Sequence, residues 1–182
     1  MTEVKHKCFI SYHHDDQDEV KDFIERFDED GEAFIARAVG AMGQDIIDSE
    51  DTDYVMRRIR EKYLTDSTVT IVLIGKCTWA RRYVDWEIAS TLRNDPNNKR
   101  SGLFAITLPG VADKIKTLPA RFQDNLYNWD KKKGYAKWYK YPDNSASLTN
   151  MIEDAFQARD DDERTKHIDN SRALFGYNRE CK

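Results

Sequence analysis

The sequence is poor in the features that mark several common protein classes. Its three cysteines, Cys8, Cys77 and Cys181, are odd in number and form no CxxC pair. They offer no metal-site spacing and suit a reducing cytoplasm, where the chain is expected to reside. The four histidines are scattered as well, so no metal is expected. No apolar run is long enough to span a bilayer, and no membrane partner is expected. The opening Met1–Lys7 runs straight into a strand and does not read as a leader. A basic excess is missing too: 29 Lys+Arg stand against 33 Asp+Glu, for a net charge of −4. General nucleic-acid binding is thereby excluded, although a local basic pocket is not. No glycine-rich phosphate loop follows the first strand, and the chain has neither an internal repeat nor a low-complexity segment. What remains is 182 residues, 40% hydrophobic and 12% aromatic, enough for one domain with a real core and an extension.

The chain is organised around Thr68-Val-Thr-Ile-Val-Leu-Ile-Gly75 and the segment Cys77–Ser90 that follows it. The first is an unbroken β-branched run without polar alternation, as suits a parallel strand covered on both faces. The second reads as a helix to about Arg93 with Val84, Ile88 and Leu92 as its apolar stripe. Further strands are expected at Lys7–Tyr12, Ala33–Val39, Ser101–Leu108 and Ala136–Tyr141, the last as an edge. Helices are expected at about Asp16–Phe27, Thr52–Tyr63 (capped by Asp51 or Thr52, with Arg57, Arg58, Arg60 and Lys62 toward solvent), Pro119–Leu126 and from Ser145 or Ser147 to Arg159. Strands alternating with helices at this spacing indicate βαβ units. For the tail after Arg164, composition leaves open a docked helix or a mobile end.

In an open parallel sheet, ligands bind beyond the carboxyl ends of the strands, and the Cys77–Ser90 helix starts there. Glu87 lies roughly 60° of helical rotation from Val84, at about 100° per residue, so it borders the buried stripe. From spacing alone it reads as a solvated charge or a partner for an arginine. Arg81 and Arg82 read as surface charges, Trp79 and Trp86 as core-margin residues, and Cys8 and Cys77 as buried small hydrophobes.

Two segments nevertheless resemble a known family. Cys8-Phe-Ile-Ser-Tyr12 resembles the first signature box of TIR domains. Tyr83-Val84-x-x-Glu87 resembles their tryptophan-cysteine-x-x-glutamate pattern, with tyrosine and valine in the first two places. The run from Val72 through Trp79 to Glu87 is closer to the bacterial TIR-like group that includes the Thoeris anti-phage protein, and the resemblance covers roughly residues 5 to 110. It implies a flavodoxin-like α/β fold, a parallel sheet of about five strands with helices on both faces; the C-terminal helical extension, read from the residues, lies beyond the resemblance and departs from ordinary TIR domains. The corresponding division is a TIR-like domain over 1–144, with the helix and tail of 145–182 packed on it. It further implies that Glu87 cleaves NAD at the nicotinamide–ribose bond. NAD is then substrate rather than cofactor, and the product is a cyclic ADP-ribose isomer that activates a separate effector protein.

Phe9 and Ser11 become candidates for the pocket wall, with Tyr12 and His13 beside them. Arg81 and Arg82, at a helix N-terminus, suit the diphosphate. Tyr12, Trp79, Tyr83 or Trp86 suits stacking on nicotinamide or adenine. The rival reading is a non-catalytic signalling module that works by TIR–TIR self-association through the Gly40–Asp51 loop, with Glu87 incidental.

Overall fold

The fold was obtained as a computed structural model, which describes residues 6–28, 34–36, 51–96 and 98–182. The expected loop Gly40–Asp51 lies, apart from Asp51, outside these residues. Five parallel strands form one sheet in the order β2-β1-β3-β4-β5: β1 (Cys8–Ser11), β2 (Phe34–Ala36), β3 (Val69–Ile74), β4 (Gly102–Thr107) and β5 (Lys137–Tyr139). Register runs Cys8 opposite Val69 to Ser11 opposite Val72, and Val69 opposite Gly102 to Ile74 opposite Thr107. All six residues of β3 and all six of β4 are buried, as their unbroken apolar runs demand. The edge strand expected near Ala136–Tyr141 forms over three residues.

Strand alternation divides the core into two layers. Cys8, Ile10, Val69, Ile71, Leu73, Phe104 and Ile106 face helices α1 (Gln17–Phe27) and α5 (Ser145–Ala158), meeting Val20, Phe23, Leu148 and Ala155. Val72, Ile74, Leu103 and Ala105 face α3 (Arg82–Leu92) and α4 (Ala120–Asp124), meeting Val84, Ile88, Leu92 and Phe122. Phe9 joins Ile59 of α2 (Thr52–Ile59) and Trp86 in a third cluster on that second face. Helices therefore cover both faces of the sheet, consistent with a flavodoxin- or TIR-like architecture.

The start of α2 is as expected, and other helix ends differ. Asp51 caps α2, accepting the backbone N–H groups of Asp53 and Tyr54 at 3.0 and 3.1 Å. The helix then loosens into a π turn over Arg60–Leu64. Arg60, expected on the solvent face, is buried there, because its Nη2 donates to the carbonyl of Arg93 (3.1 Å) at the C-terminal end of α3. Asn144, rather than Ser145 or Ser147, caps α5. The acidic run after it, expected only to break the helix, opens a short α6 (Asp162–Thr165) capped by Asp161.

Helix α5 packs directly on the backbone where β4 begins. A Cβ on Gly102 would stand 2.2 Å from the carbonyl oxygen of Ala155, backbone that cannot swing aside. Gly102→Ala should therefore cost about 1–3 kcal/mol by forcing helix and sheet apart. Urea unfolding checks this, and a change under about 0.5 kcal/mol, the scale of a surface substitution, would contradict it.

Candidate functional site at the carboxyl end of the sheet

Strand order reverses between β1 and β3. From β1 the chain crosses along α1 on one face to β2; from β3 it crosses along α3 on the other face to β4. A crevice opens at such a switch point, beyond the carboxyl ends of the two strands. Four features converge there.

The first is a buried carboxyl group. Ser11 ends β1 and, like Phe9, faces α3. Its hydroxyl donates to Oε2 of Glu87, from which it is separated by 76 residues of chain. Glu87 is only 1% exposed, so it does not border solvent as its helical angle suggested. A buried carboxyl group is tolerated where it is hydrogen-bonded. The polar seam continues down the helix, where the Thr91 hydroxyl donates to the Glu87 carbonyl at 2.8 Å and meets Thr70 Oγ1 at 2.8 Å.

The second feature is the loop that leaves β1. His13 is buried, and its Nε2 has no hydrogen-bond partner; the same holds for Oδ2 of Asp16. Buried polar atoms without a partner are rare in folded proteins, and this loop carries two. Burial pushes Asp16 up to about 6, helped by Glu19 and Asp15 and opposed by the Thr78 hydroxyl and His14. Burial also pulls His13 down to about 4; Arg81 and His14 act in the same direction and Asp15 against it. Gly75, at the end of β3, makes room for this loop, since a Cβ there would fall 2.1 Å from the Asp16 carboxyl.

These shifts have opposite consequences for stability. Between about pH 4 and 6 the folded protein keeps a proton on Asp16 that the unfolded chain, at 3.8, has already released. Its contribution thus falls as pH rises through that window. His13 does the reverse: the unfolded chain takes up protons below 6.5 that the folded imidazole refuses until about 4. In the wild type the two slopes oppose each other. Asp16→Asn removes the first, so melting temperature should rise more steeply from pH 4 to 6 in the variant and exceed the wild type above pH 6. Parallel melting profiles would contradict this.

The third feature is the cluster His13, His14 and Asp15, whose donor atoms lie within 4.8 Å of one another. The Asp15 carboxylate is 2.9 Å from His14 Nε2 and 3.6 Å from His13 Nδ1, with His14 and Asp15 exposed.

The fourth is the start of α3, where the C-terminal tail lies. Residues 168–182 form neither helix nor strand, yet they are held along α3. Arg121 of α4, 1% exposed, binds the Asp85 carboxylate through Nε (2.9 Å) and Nη2 (3.3 Å). It also donates to Asn170 Oδ1 (2.8 Å) and to the carbonyl of Arg172 (2.8 Å). Asp85 Oδ2 accepts the backbone N–H of Phe175 (2.9 Å), and Trp86 Nε1 donates to the Phe175 carbonyl (2.9 Å). Leu174 packs against the Phe9–Ile59–Trp86 cluster.

Beyond Phe175 the tail covers the helix start itself. Asn178 Oδ1 accepts the Arg82 backbone N–H (3.0 Å), supplying the cap that Arg81 does not. Arg82 Nη1 donates to the Gly176 carbonyl and Arg81 Nη2 to that of Arg179, both at 3.3 Å. The Arg179 N–H returns to the Ala80 carbonyl (2.8 Å), and a Cys77–Cys181 disulfide closes the arrangement. Cys77 is thus no unpaired buried hydrophobe; folding of the tail onto α3 brings the two sulfurs together across a separation of 104 residues. The tail is also neither a docked helix nor a mobile end.

Not all the expected site residues meet in the crevice. Ser11, His13 and Glu87 are buried at this end of the sheet, with Ser11 bonded to Glu87, and Phe9 lies in the core cluster with Ile59 and Trp86. Tyr12 packs against the α1/α5 layer instead, on the other side of the sheet. Arg81 and Arg82 stand at its rim, held by the tail. Tyr83 accepts from Arg82 Nη2 (2.9 Å) and meets Trp86 edge-on at 5.8 Å. Asp16, Gly75 and Thr78 belong to the site and were not expected there. No helix among the described residues is long and apolar enough to cross a membrane.

Residues 9–113, more than half of the chain, match the family described as Thoeris protein ThsB, TIR-like domain. The match contains β1, β3, α3 and β4, and with them Ser11 and Glu87. No curated protein matches the chain.

Proposed function

Because the chain belongs to the Thoeris TIR-like family, we propose that it cleaves NAD at the nicotinamide–ribose bond and releases a cyclic ADP-ribose isomer as an anti-phage messenger. The observation that supports this best is the Ser11–Glu87 pair, a hydrogen-bonded carboxyl group buried at the switch point of a parallel sheet.

The chemistry asks little more of the protein. As the bond to nicotinamide breaks, positive charge builds on the ribose, much as in glycoside hydrolysis. The base leaves neutral, so no acid partner is required, and one carboxylate suffices. Glu87 Oε1 and Oε2 would stabilise the developing charge at C1, in a crevice where little solvent screens it. Ser11 fixes the carboxyl orientation and is a positioning residue. His13, held neutral at pH 7 by burial, offers an uncharged Nε2 to the substrate. Arg81 and Arg82 would bind the diphosphate once the tail leaves them. Attack on the ribose C1 from within the same molecule closes the cyclic product; attack by water gives linear ADP-ribose. The messenger would then act on a separate effector protein.

The test is incubation of the purified protein with NAD, followed by chromatography and mass spectrometry. Free nicotinamide together with a product one water lighter than ADP-ribose is expected. Linear ADP-ribose alone would refute the messenger, and intact NAD under both oxidising and reducing conditions would refute the activity.

A further inference from the structure

We infer that residues 176–182 form a thiol-controlled strap that covers the start of α3 and competes with substrate for Arg81 and Arg82. The inference rests on the NAD reading for what the strap excludes, but not for the strap itself.

The tail has two parts of different character. Up to Phe175 it is anchored by buried groups, namely Arg121, Asp85, Trp86 and the Leu174 side chain. From Gly176 onward nearly every residue is exposed: Tyr177 is 77% exposed, and a Cβ added to Gly176 would touch nothing within 4 Å. This outer part has no apolar anchor. Among the described residues it is held by the solvent-facing hydrogen bonds to Ala80, Arg81 and Arg82, by the Arg179 guanidinium over the Phe175 ring (4.2 Å) and by the disulfide. Exposed hydrogen bonds of this kind open readily. The disulfide makes their re-formation nearly intramolecular by keeping Cys181 beside Lys76 and Cys77.

What the strap occupies is informative. It takes the first N–H of α3 and one terminal nitrogen of each guanidinium group, donors that a diphosphate would use. Strap and substrate diphosphate thus exclude each other. Both sulfurs lie in partly exposed residues, and accessible disulfides are the labile, regulatory kind. The step balances simply. Two equivalents of a low-molecular-weight thiol attack the Cys77–Cys181 bond, yielding two protein thiols and one small-molecule disulfide. The electrons come from the external thiol.

The full-length protein should be prepared oxidised, thiol-reduced and as Cys181→Ser, and its amide hydrogen exchange and NAD turnover followed. Reduction or Cys181→Ser is expected to speed exchange at the hydrogen-bonded N–H groups of Arg179 and Arg82 on the order of a hundredfold, the low end of what tethering contributes. Residues 169–175 should stay protected, and turnover should rise. Unchanged exchange on reduction would overturn the strap, as would two alkylatable thiols at 77 and 181 in the oxidised protein. Faster exchange with equal, measurable turnover in both states would overturn the gating. If no form turns over, the NAD reading fails while the exchange result still decides whether the strap opens.

Discussion

Replacing Arg121 by methionine should destabilise the protein by about 3–5 kcal/mol, the cost of removing one partner from a buried ion pair. The reason lies in what would be stranded. Asp85 is 2% exposed and receives two hydrogen bonds from Arg121. Without them its carboxylate keeps the Phe175 N–H and the weaker, unbonded attraction of the exposed Arg172. Asn170 and the carbonyls of Arg172 and Ala173 lose their donor at the same time. Methionine fills the volume, so the loss reports the polar network rather than a cavity. The tail should also detach, with residues 169–175 losing exchange protection and Trp86 becoming accessible to a fluorescence quencher. Urea unfolding gives the free energy. A cost below about 1 kcal/mol, the range of surface ion pairs, would mean that the tail is not anchored as described.

That network shows where sequence reasoning stopped. The strands and the α3 stripe were legible because their signals are local: an unbroken β-branched run before Gly75, and Val84, Ile88 and Leu92 at helical spacing. Glu87 stood out through the family motif, but its burial did not. The angle on the helix put it beside the stripe, and only the sheet's topology brings Ser11 against it. Tyr12 could have been assigned to the opposite face, since Phe9 and Ser11 alternate with Ile10 and Tyr12 along one strand.

Nothing local singles out Asp85, in the helix after the central strand, or Arg121, in the helix expected at Pro119–Leu126. Their partnership spans 36 residues, and no periodicity encodes it. An odd cysteine count likewise concealed a pair joined only when the tail turns back over α3. Arg60 was misjudged for a related reason: it looked solvent-facing by its neighbours on α2, while the group it satisfies belongs to the end of α3.

The second large effect concerns Glu87. Glutamine keeps the shape and still accepts the Ser11 hydrogen bond, so the variant should fold with a melting temperature close to the wild type. What it lacks is the negative charge that the ribose cation meets in the transition state. Removing one such preorganised electrostatic contact typically costs about 10²–10³ in turnover. Because Glu87 would be the main group acting on the reacting carbon, the loss should reach at least the upper end of that range. Substrate binding, which the proposal assigns to Arg81, Arg82 and the crevice walls, should change much less. Ser11→Ala should fall between the two proteins, since it leaves the carboxyl group in place but removes the Ser11 hydrogen bond.

The most direct measurement is nicotinamide release from NAD by thiol-reduced wild type and Glu87→Gln, run side by side after their melting temperatures have been matched. Release by the wild type with a loss of about 10³ or more in the variant is the expected result. Equal release by both would show that Glu87 is a structural partner of Ser11 and that the chemistry, if any, lies elsewhere.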